Sequence, residues 1–188
     1  MPVCLSHVIA FDDAPFAREH RGNVPIVGAV FAGLRLDSVL TGKVRRDGAN
    51  ATRTIADLVR RSRYQPQIHA VLLQGIAVAG FNVVDIHALQ RSLGLPVIVV
   101  ARRRPDLASI REALIHHVPG GARKWRLIEQ AGPMERLAGL WVQRAGIAAN
   151  AAETLLARLA VHGQLPEPVR TAHLIARALG ASESRQRA

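Results

Sequence analysis

The order of apolar and polar stretches along the chain predicts a mixed β-sheet. Three apolar stretches follow one another through short polar connections, at Val3–Phe11, Val24–Gly33 and Leu36–Arg46. Strands joined by such short connections run antiparallel, so these three predict a meander. The third stretch is the most polar, and we therefore expect it to lie nearest the edge of the sheet.

The chain then alternates between helical and strand-like patterns. Apolar residues at helical spacing predict helices, whereas short β-branched runs between turn residues predict buried strands. The predicted strands are Ile68–Leu73 and Leu95–Ala101, with Leu137–Gln143 as a short extra strand. The predicted helices are Ala51–Arg63, Asn82–Leu93, Asp106–Val118, Ala122–Gln130, Ala148–Val161 and Pro166–Leu179.

A meander followed by strands that alternate with helices indicates an α/β protein with a ribonuclease H-like mixed sheet and extra C-terminal helices. Strands separated by helices lie parallel, which makes the first strand central and places the fourth beside it. A flavodoxin-like sheet is the alternative, but the first three predicted strands have no helices between them. No repeat, low-complexity tract or linker divides residues 1–188, so we expect a single domain.

Carboxylates stand close to the ends of the predicted strands and the starts of helices. Asp12 and Asp13 come directly after the first apolar run, Asp47 follows the third strand, and Asp85 lies one turn into the second helix. Carboxylate oxygens hold Mg²⁺ or Mn²⁺, and such ions activate water and stabilise charge at a phosphodiester under attack. We therefore expect these four aspartates to bind the metal. The structural alternative is that they cap turns and helices.

Further polar residues fall at the same end of the predicted sheet. Two follow the fourth strand, one begins the next helix, and three leave the fifth strand. They are Gln74, Gly75, Asn82, Arg102, Arg103 and Arg104. Open α/β sheets bind ligands at the carboxyl ends of parallel strands, and Arg suits phosphate, so we expect these residues to contact nucleic acid. Asn82 serves equally well as a helix cap, and the arginines as a solvated charged run.

The charge of the chain favours a phosphate-bearing partner. The formal net charge is +11 and the isoelectric point about 11.6, which suits DNA or RNA first and an anionic membrane surface second. Lys occurs only at Lys43 and Lys124, so a GC-rich coding bias towards Arg is an alternative cause. A single Cys, no long apolar run and no signal-peptide pattern lead us to expect a cytoplasmic protein without a membrane span.

Four blocks of sequence carry a resemblance that covers nearly the whole chain. They are FDDAPF, VRRDGANAT, LLQGIAVAGFNVVDIHALQRSLGLPVIVVARRRPD and PEPVRTAHLIA. Together they resemble the mostly archaeal domain-of-unknown-function family number ninety-nine. That family is similar to endonuclease V, a Mg²⁺-dependent nuclease with a ribonuclease H-like fold that cuts near deaminated bases. The resemblance implies the same fold, a divalent metal cofactor and a nucleic-acid substrate.

The resemblance also implies roles for particular residues. Asp12 matches the first catalytic aspartate of endonuclease V, and Asp47 is a looser match to its catalytic glutamate. Arg102 stands where the nuclease has a lysine that takes part in the site. Gln74 departs from the pattern, because endonuclease V has a metal-binding aspartate there. Asp13 belongs to the pattern of the unknown-function family, as does Asp85.

Three functions are open at this point. In the first, the chain is a metal-dependent nuclease in which Asp12, Asp47, Asp85 and Arg102 are catalytic. In the second, which the neutral Gln74 motivates, it is a catalytically inactive nucleic-acid-binding protein with a degenerate metal site. In the third, it is an assembly protein, such as a homodimer formed through its Ala-rich C-terminal helices, or a small-molecule enzyme.

Overall fold

The computed structural model describes residues 6–185, with side chains described as far as residue 180. Nine strands and six helices are formed within these residues. The strands are β1 (His7–Asp13), β2 (Asn23–Ala32), β3 (Arg35–Arg45), β4 (Ala70–Gln74), β5 (Ala77–Val78), β6 (Asn82–Val83), β7 (Val97–Ala101), β8 (Glu135–Leu137) and β9 (Leu140–Ala145). The helices are α1 (Ala51–Arg61), α2 (Ile86–Leu93), α3 (Leu107–His117), α4 (Gly121–Gln130), α5 (Ala149–Leu159) and α6 (Glu167–Arg185).

Seven of the described strands form one mixed sheet in the order β3-β2-β1-β4-β7-β9-β8. The first three strands are an antiparallel meander, and β4 and β7 run parallel to β1. The predicted ribonuclease H-like order, with β1 central and β4 beside it, is therefore confirmed. The antiparallel meander excludes the flavodoxin-like alternative. The predicted extra strand is half of an antiparallel hairpin, β8–β9, which extends the sheet beyond β7.

The two faces of the sheet carry separate cores because side chains alternate along each strand. Ile9 and Phe11 of β1 pack with residues of α1 and α2 on one face. Val8 and Ala10 pack with residues of α5 and α6 on the other. A third, smaller cluster joins α3 and α4 to Val83 of β6. The carboxyl ends of β1, β4 and β7 are thereby held at one edge of a sheet that is covered on both sides.

Several element boundaries differ from the predictions. The first strand is described from His7 onward, and its residues before Ser6 lie outside the described residues. The second helix begins at Ile86 rather than Asn82, because Asn82 belongs to a two-residue strand paired with Val78. The last helix extends beyond its predicted end to Arg185. None of the helices in the described part of the chain has the length and apolar character needed to cross a lipid bilayer.

Candidate metal and nucleic-acid site

Asp12 is a buried carboxylate at the carboxyl end of β1. Its residue is only 6% exposed, and its Oδ2 lies 2.7 Å from His173 Nδ1 of α6. Its Oδ1 accepts a hydrogen bond of 2.9 Å from the backbone N–H of Asp13. Burial raises the pKa of Asp12, and the hydrogen bonds from His173 and Asp13 oppose that rise. The carboxylate is thus fixed in place by two groups and shielded from water.

Helix α6 reaches Asp12 because it packs closely over the end of β1. Val169 and Ala172 of this helix belong to the same core cluster as Ala10, two residues before Asp12. Farther along the helix, a Cβ added to Gly180 would meet Pro15 atoms at 2.8 Å. Glycine therefore permits the close approach of α6 to the loop after β1. His173 lies between these two contacts.

Gln74 ends β4, the strand beside β1, and its side-chain oxygen has no protein partner. Phe11 pairs with Leu73 across the two strands, so the next residues, Asp12 and Gln74, are neighbours on the same face. Gln74 Oε1 is buried without a hydrogen-bond partner among the described residues. A buried carbonyl oxygen of this kind costs free energy unless a ligand, ion or water satisfies it.

Asp13 follows Asp12 as the last residue of β1, and the charges of Asp12 and His173 both act on its carboxylate. Its carboxylate accepts a hydrogen bond from the backbone N–H of Ala79 in the loop after β4. Burial, followed by the charge of Asp12, raises the pKa of Asp13 to about 6. Two carboxylates that both resist ionisation at one strand end favour the arrival of a cation, which stabilises their charged forms.

Asp47 follows β3 in a left-handed conformation with φ of 50°. Its Oδ1 accepts a 2.8 Å hydrogen bond from the N–H of Phe81, and its Oδ2 lies 3.1 Å from Arg46 Nε. Its own N–H donates to the carbonyl of Ala79, the residue that also binds Asp13. A Cβ at Gly80 would collide with Asp47 Oδ1, so glycine is required there. Asp47 is therefore joined to Asp13 through one short segment, residues 79–81.

Asp85 occupies a different place from the one predicted. It is the N-cap of α2 rather than a residue one turn inside it, and its Oδ1 accepts a 2.8 Å hydrogen bond from Ala88 N–H. Together with Asp47 it lines a cavity between α1, α2 and α4, and Asp12 and Asp13 do not line that cavity. The alternative predicted for the aspartates, that they cap helices, applies to Asp85.

Asn82 is fully buried, which leaves no surface for the predicted contact with nucleic acid, and the N-cap of α2 is Asp85 rather than Asn82. Its Oδ1 accepts from Ala51 N–H at 3.0 Å, and its Nδ2 donates to Arg45 O at 2.9 Å and Asn50 Oδ1 at 2.8 Å. These bonds tie the start of α1 to the end of β3. Asn82 therefore satisfies backbone groups inside the protein.

Gly75, which has a positive φ of 79°, carries the chain away from the end of β4.

The three arginines after β7 separate from one another. Arg102 lines a small cavity with Leu140 and His162, on the side of the sheet covered by α5 and α6. Arg104 lies over the ring of Trp141, with its guanidinium carbon 5.3 Å from the ring centroid. Arg103 is exposed. The structure thus keeps all three cations near the carboxyl end of β7, but only Arg102 on the face that carries Asp12.

The group that the structure assembles at the centre of the sheet edge is Asp12, Asp13, Gln74 and His173. Sequence reasoning found the first three and missed His173, which lies 161 positions from Asp12. The sequence feature that could have identified His173 is its position in the PEPVRTAHLIA block, one of the four blocks that carry the family resemblance. Among the described residues, no three His, Cys, Asp or Glu side chains are grouped to hold a metal ion. Two carboxylates and the unpartnered amide oxygen of Gln74 nevertheless fit Mg²⁺ or Mn²⁺, which take oxygen ligands and keep several waters.

Solved structures share this architecture. The crystal structure of a protein of unknown function from Archaeoglobus fulgidus matches with a TM-score of 0.86 and 33% identity, covering 92% of this chain and 97% of that one. Endonuclease V from Ciona intestinalis, solved with DNA containing an inosine followed by a ribo-adenosine, matches with a TM-score of 0.61 and 13% identity. That match covers 94% of this chain and 86% of the other, and it confirms the predicted endonuclease V-like fold.

Sequence comparison places the chain in a family. A UPF0215 protein from Deinococcus radiodurans is 61% identical over 172 residues, which cover 92% of this chain and 88% of the relative. Residues 5–180 match the model of the family described as endonuclease dU. The chain therefore belongs to the endonuclease dU family.

Proposed function

We propose that the protein is a divalent-metal-dependent endonuclease that hydrolyses a phosphodiester bond of nucleic acid at the carboxyl ends of β1 and β4. The observation that carries this proposal is the buried pair formed by Asp12 and the unpartnered Gln74 Oε1 on adjacent strands. The family name supports DNA containing deoxyuridine as the first substrate to test. The Ciona endonuclease V complex supports inosine-containing DNA as the second.

The residues at the strand ends would hold Mg²⁺ or Mn²⁺ through oxygen. Asp12, Asp13 and Gln74 Oε1 would supply the protein ligands. Asp47 is a further candidate ligand, because it binds residues 79–81, the segment that also binds Asp13. When bound, such an ion activates water and stabilises the charge that develops on the phosphate. An amide ligand adds no negative charge, so Gln74 would lower the net charge of the site compared with a carboxylate.

His173 would orient Asp12 and exchange a proton. Because an ionised carboxylate only accepts hydrogen bonds, Nδ1 of His173 would carry the hydrogen in the bond whenever Asp12 is ionised. The His173 side chain is 40% exposed, whereas that of Asp12 is 8% exposed. The imidazole thus connects a buried carboxylate to the solvent side, where it could give a proton to, or take one from, a water or a leaving oxygen of a bound substrate.

Basic residues near the site would bind the phosphate backbone. Arg102 lies at the end of β7, on the face that carries Asp12 and Gln74, and is exposed to solvent. Arg103 and Arg104 follow it directly, and the net charge of +11 attracts a polyanion from a distance. We therefore expect Arg102 to contact a phosphate next to the bond that is cut.

The test is a cleavage assay on matched labelled substrates. Duplex and single-stranded DNA with one deoxyuridine, one inosine or no altered base, and RNA of the same sequence, are incubated with Mg²⁺, Mn²⁺ or EDTA. We expect metal-dependent nicking of at least one altered substrate by the wild type, and loss of it in Asp12→Asn. Absence of cleavage of every substrate, together with tight salt-sensitive binding, would support the inactive nucleic-acid-binding alternative instead.

The two remaining aspartates are examined in the same assay. Asp47→Asn removes a charge while leaving an oxygen that still accepts from Phe81 N–H. Asp85→Asn keeps the cap of α2, because Asn and Asp are comparable N-caps. A loss of activity in either variant without a loss of stability would add that carboxylate to the metal site.

A further inference from the structure

A cavity of about 610 Å³ lies between α1, α2 and α4, and the candidate metal ligands Asp47 and Asp85 form part of its lining. Its lining includes small and apolar residues such as Ala56, Val83 and Leu127. Asp12, Asp13, Gln74 and His173 do not line it. Ligand cavities in proteins commonly have volumes of roughly 300–1,000 Å³ and combine an apolar wall with a few polar groups. The size and lining therefore fit a small-molecule group or one unit of a polymer.

Four cationic side chains line this cavity. They are Arg53 and Arg60 of α1, and Arg123 and Lys124 of α4. The first two lie near the same carboxylate, that of Asp57, each at 3.7 Å. One carboxylate balances only one of these charges, and a separation of 3.7 Å is longer than a hydrogen-bonded ion pair.

The two α4 cations differ in their environments. The Arg123 side chain is exposed and makes no hydrogen bond or ion pair with the described residues, whereas its backbone N–H donates to Gly120 O. Lys124 is only 4% exposed, and its ammonium donates to the backbone carbonyl of Asp47. Burial lowers the pKa of Lys124, while the Asp47 charge raises it. An anion in the cavity would offer the Arg123 side chain a charged partner that the described residues do not supply.

The carboxylates that line the cavity are already occupied. Asp47 binds Phe81 N–H and Arg46, and Arg46 does not line the cavity. Asp85 accepts the capping bond from Ala88 N–H. With these two charges and that of Asp57 set against four cations, the cavity retains a positive balance.

The start of α4 adds to that balance. Its N-cap is Gly120, which lines the cavity and has no side chain to accept from the first N–H groups of the helix. The first turn of α4 contains no acidic residue. The N–H groups of Gly121 and Arg123 already donate to Val118 O and Gly120 O, so the helix start contributes its partial positive charge, which favours anions, more than free donors.

We propose that the cavity between α1, α2 and α4 is a second anion site that binds the phosphate of a nucleotide. The phosphate would contact Arg123 and Arg53 at the mouth, and the sugar or base would lie against the apolar wall. The nucleotide belongs either to a nucleic-acid strand or to a free mononucleotide, because the phosphate chemistry is the same. The proposal does not depend on catalysis, since Asp12, Asp13 and Gln74 do not line the cavity, and Arg53 and Arg123 are not among the residues proposed to hold metal.

Binding measurements in EDTA test the proposal without any cleavage. The probes are a fluorescein-labelled single-stranded 12-mer of deoxythymidine and unlabelled deoxyuridine 5′-phosphate, at low salt. The test variant is Arg53→Ala/Arg123→Ala, and both of these side chains are exposed. The matched control is Arg126→Ala, which removes an exposed arginine from the same helix outside the cavity.

We expect the double variant to weaken binding of the 12-mer by about tenfold or more, and to reduce the slope of log K against log salt by roughly 1.4, since each phosphate contact to a single strand contributes about 0.7. We expect Arg126→Ala to change affinity by less than about twofold, because distant exposed charges are screened. Binding of the 12-mer that is lost in the double variant, without binding of deoxyuridine 5′-phosphate, would support the strand as the source of the phosphate. Binding of the mononucleotide alone, lost in the double variant, would support the free nucleotide.

Two results would overturn the proposal. Equal weakening in the double variant and Arg126→Ala, per charge removed, would show general surface attraction instead of a site. Failure of the wild type to bind either probe would show that the cavity takes no nucleotide. Because the readout is binding without metal, either result leaves the cleavage test of the proposed nuclease unaffected.

Discussion

Replacing Asp13 by Asn should stabilise the metal-free protein at neutral and alkaline pH. Burial and the neighbouring Asp12 charge raise the pKa of Asp13 from 3.8 to about 6. The folded protein thus disfavours the ionised side chain. Asn has nearly the same shape, carries no charge and retains an oxygen that can accept from Ala79 N–H.

The size of the effect follows from the pKa difference. Each pKa unit corresponds to about 1.4 kcal/mol, so a rise of roughly two units costs the wild type about 3 kcal/mol once Asp13 is ionised. The protonated carboxyl carries no such cost. The free energy of unfolding therefore has its full value from this group below about pH 4, and part of it is lost as the pH rises through about 6. Asn also needs partners for its amide group, so we expect a net gain of about 1–3 kcal/mol at pH 8.

Urea unfolding in EDTA, at pH 4.5 and at pH 8, measures the difference. We expect the free energy of unfolding of Asp13→Asn to exceed that of the wild type at pH 8. The difference between the two should shrink strongly at pH 4.5. Saturating Mn²⁺ should reverse the order at pH 8, because the ion binds the ionised wild-type carboxylate and stabilises the folded state. Equal stability of the two proteins at pH 8, or a gap that does not change with pH, would refute the reasoning about Asp13.

Three further changes have defined outcomes, all measured by urea unfolding in EDTA. Gln74→Leu should stabilise the metal-free protein by about 1 kcal/mol or more, because it removes a buried unpartnered oxygen; a lower stability would show that Oε1 has a partner. Gly80→Ala should destabilise by about 1–3 kcal/mol, and more than the control Gly163→Ala, whose φ is similar but whose Cβ meets open space. Leu72→Ala should cost about 2–5 kcal/mol, because its side chain is fully buried; a cost under about 1 kcal/mol would contradict the described core.

The meander and the order of the sheet could be predicted from sequence because each depends on local patterns. The apolar runs of β1 and β2 and the short connections between the first three strands determine the antiparallel pairing. Asp12 could be located for the same reason, since the end of a buried strand is visible in the sequence. Asp12 and Asp13 both belong to the end of this strand, so their placement requires no information about the rest of the fold.

The partner of Asp12 could not be predicted in this way. His173 approaches it only because α6 crosses the end of β1, and that approach depends on packing against β1, β2 and β4. Asp85 and Asn82 were misplaced because the β5–β6 hairpin takes residues that helical spacing assigns to α2. Two-residue strands have no periodicity of their own and form only with their partner in place.

The most direct test of the proposed metal site is calorimetric titration of the protein with Mn²⁺ at pH 7.5. The variants are Asp12→Asn and, as a matched control, Asp37→Asn, which removes the carboxylate of an exposed ion pair with Arg35 on the edge strand β3. We expect binding to the wild type and to Asp37→Asn, and at least about a tenfold loss of affinity in Asp12→Asn, since a direct carboxylate ligand is removed. Equal Mn²⁺ binding by Asp12→Asn and the wild type would contradict a metal site at the end of β1.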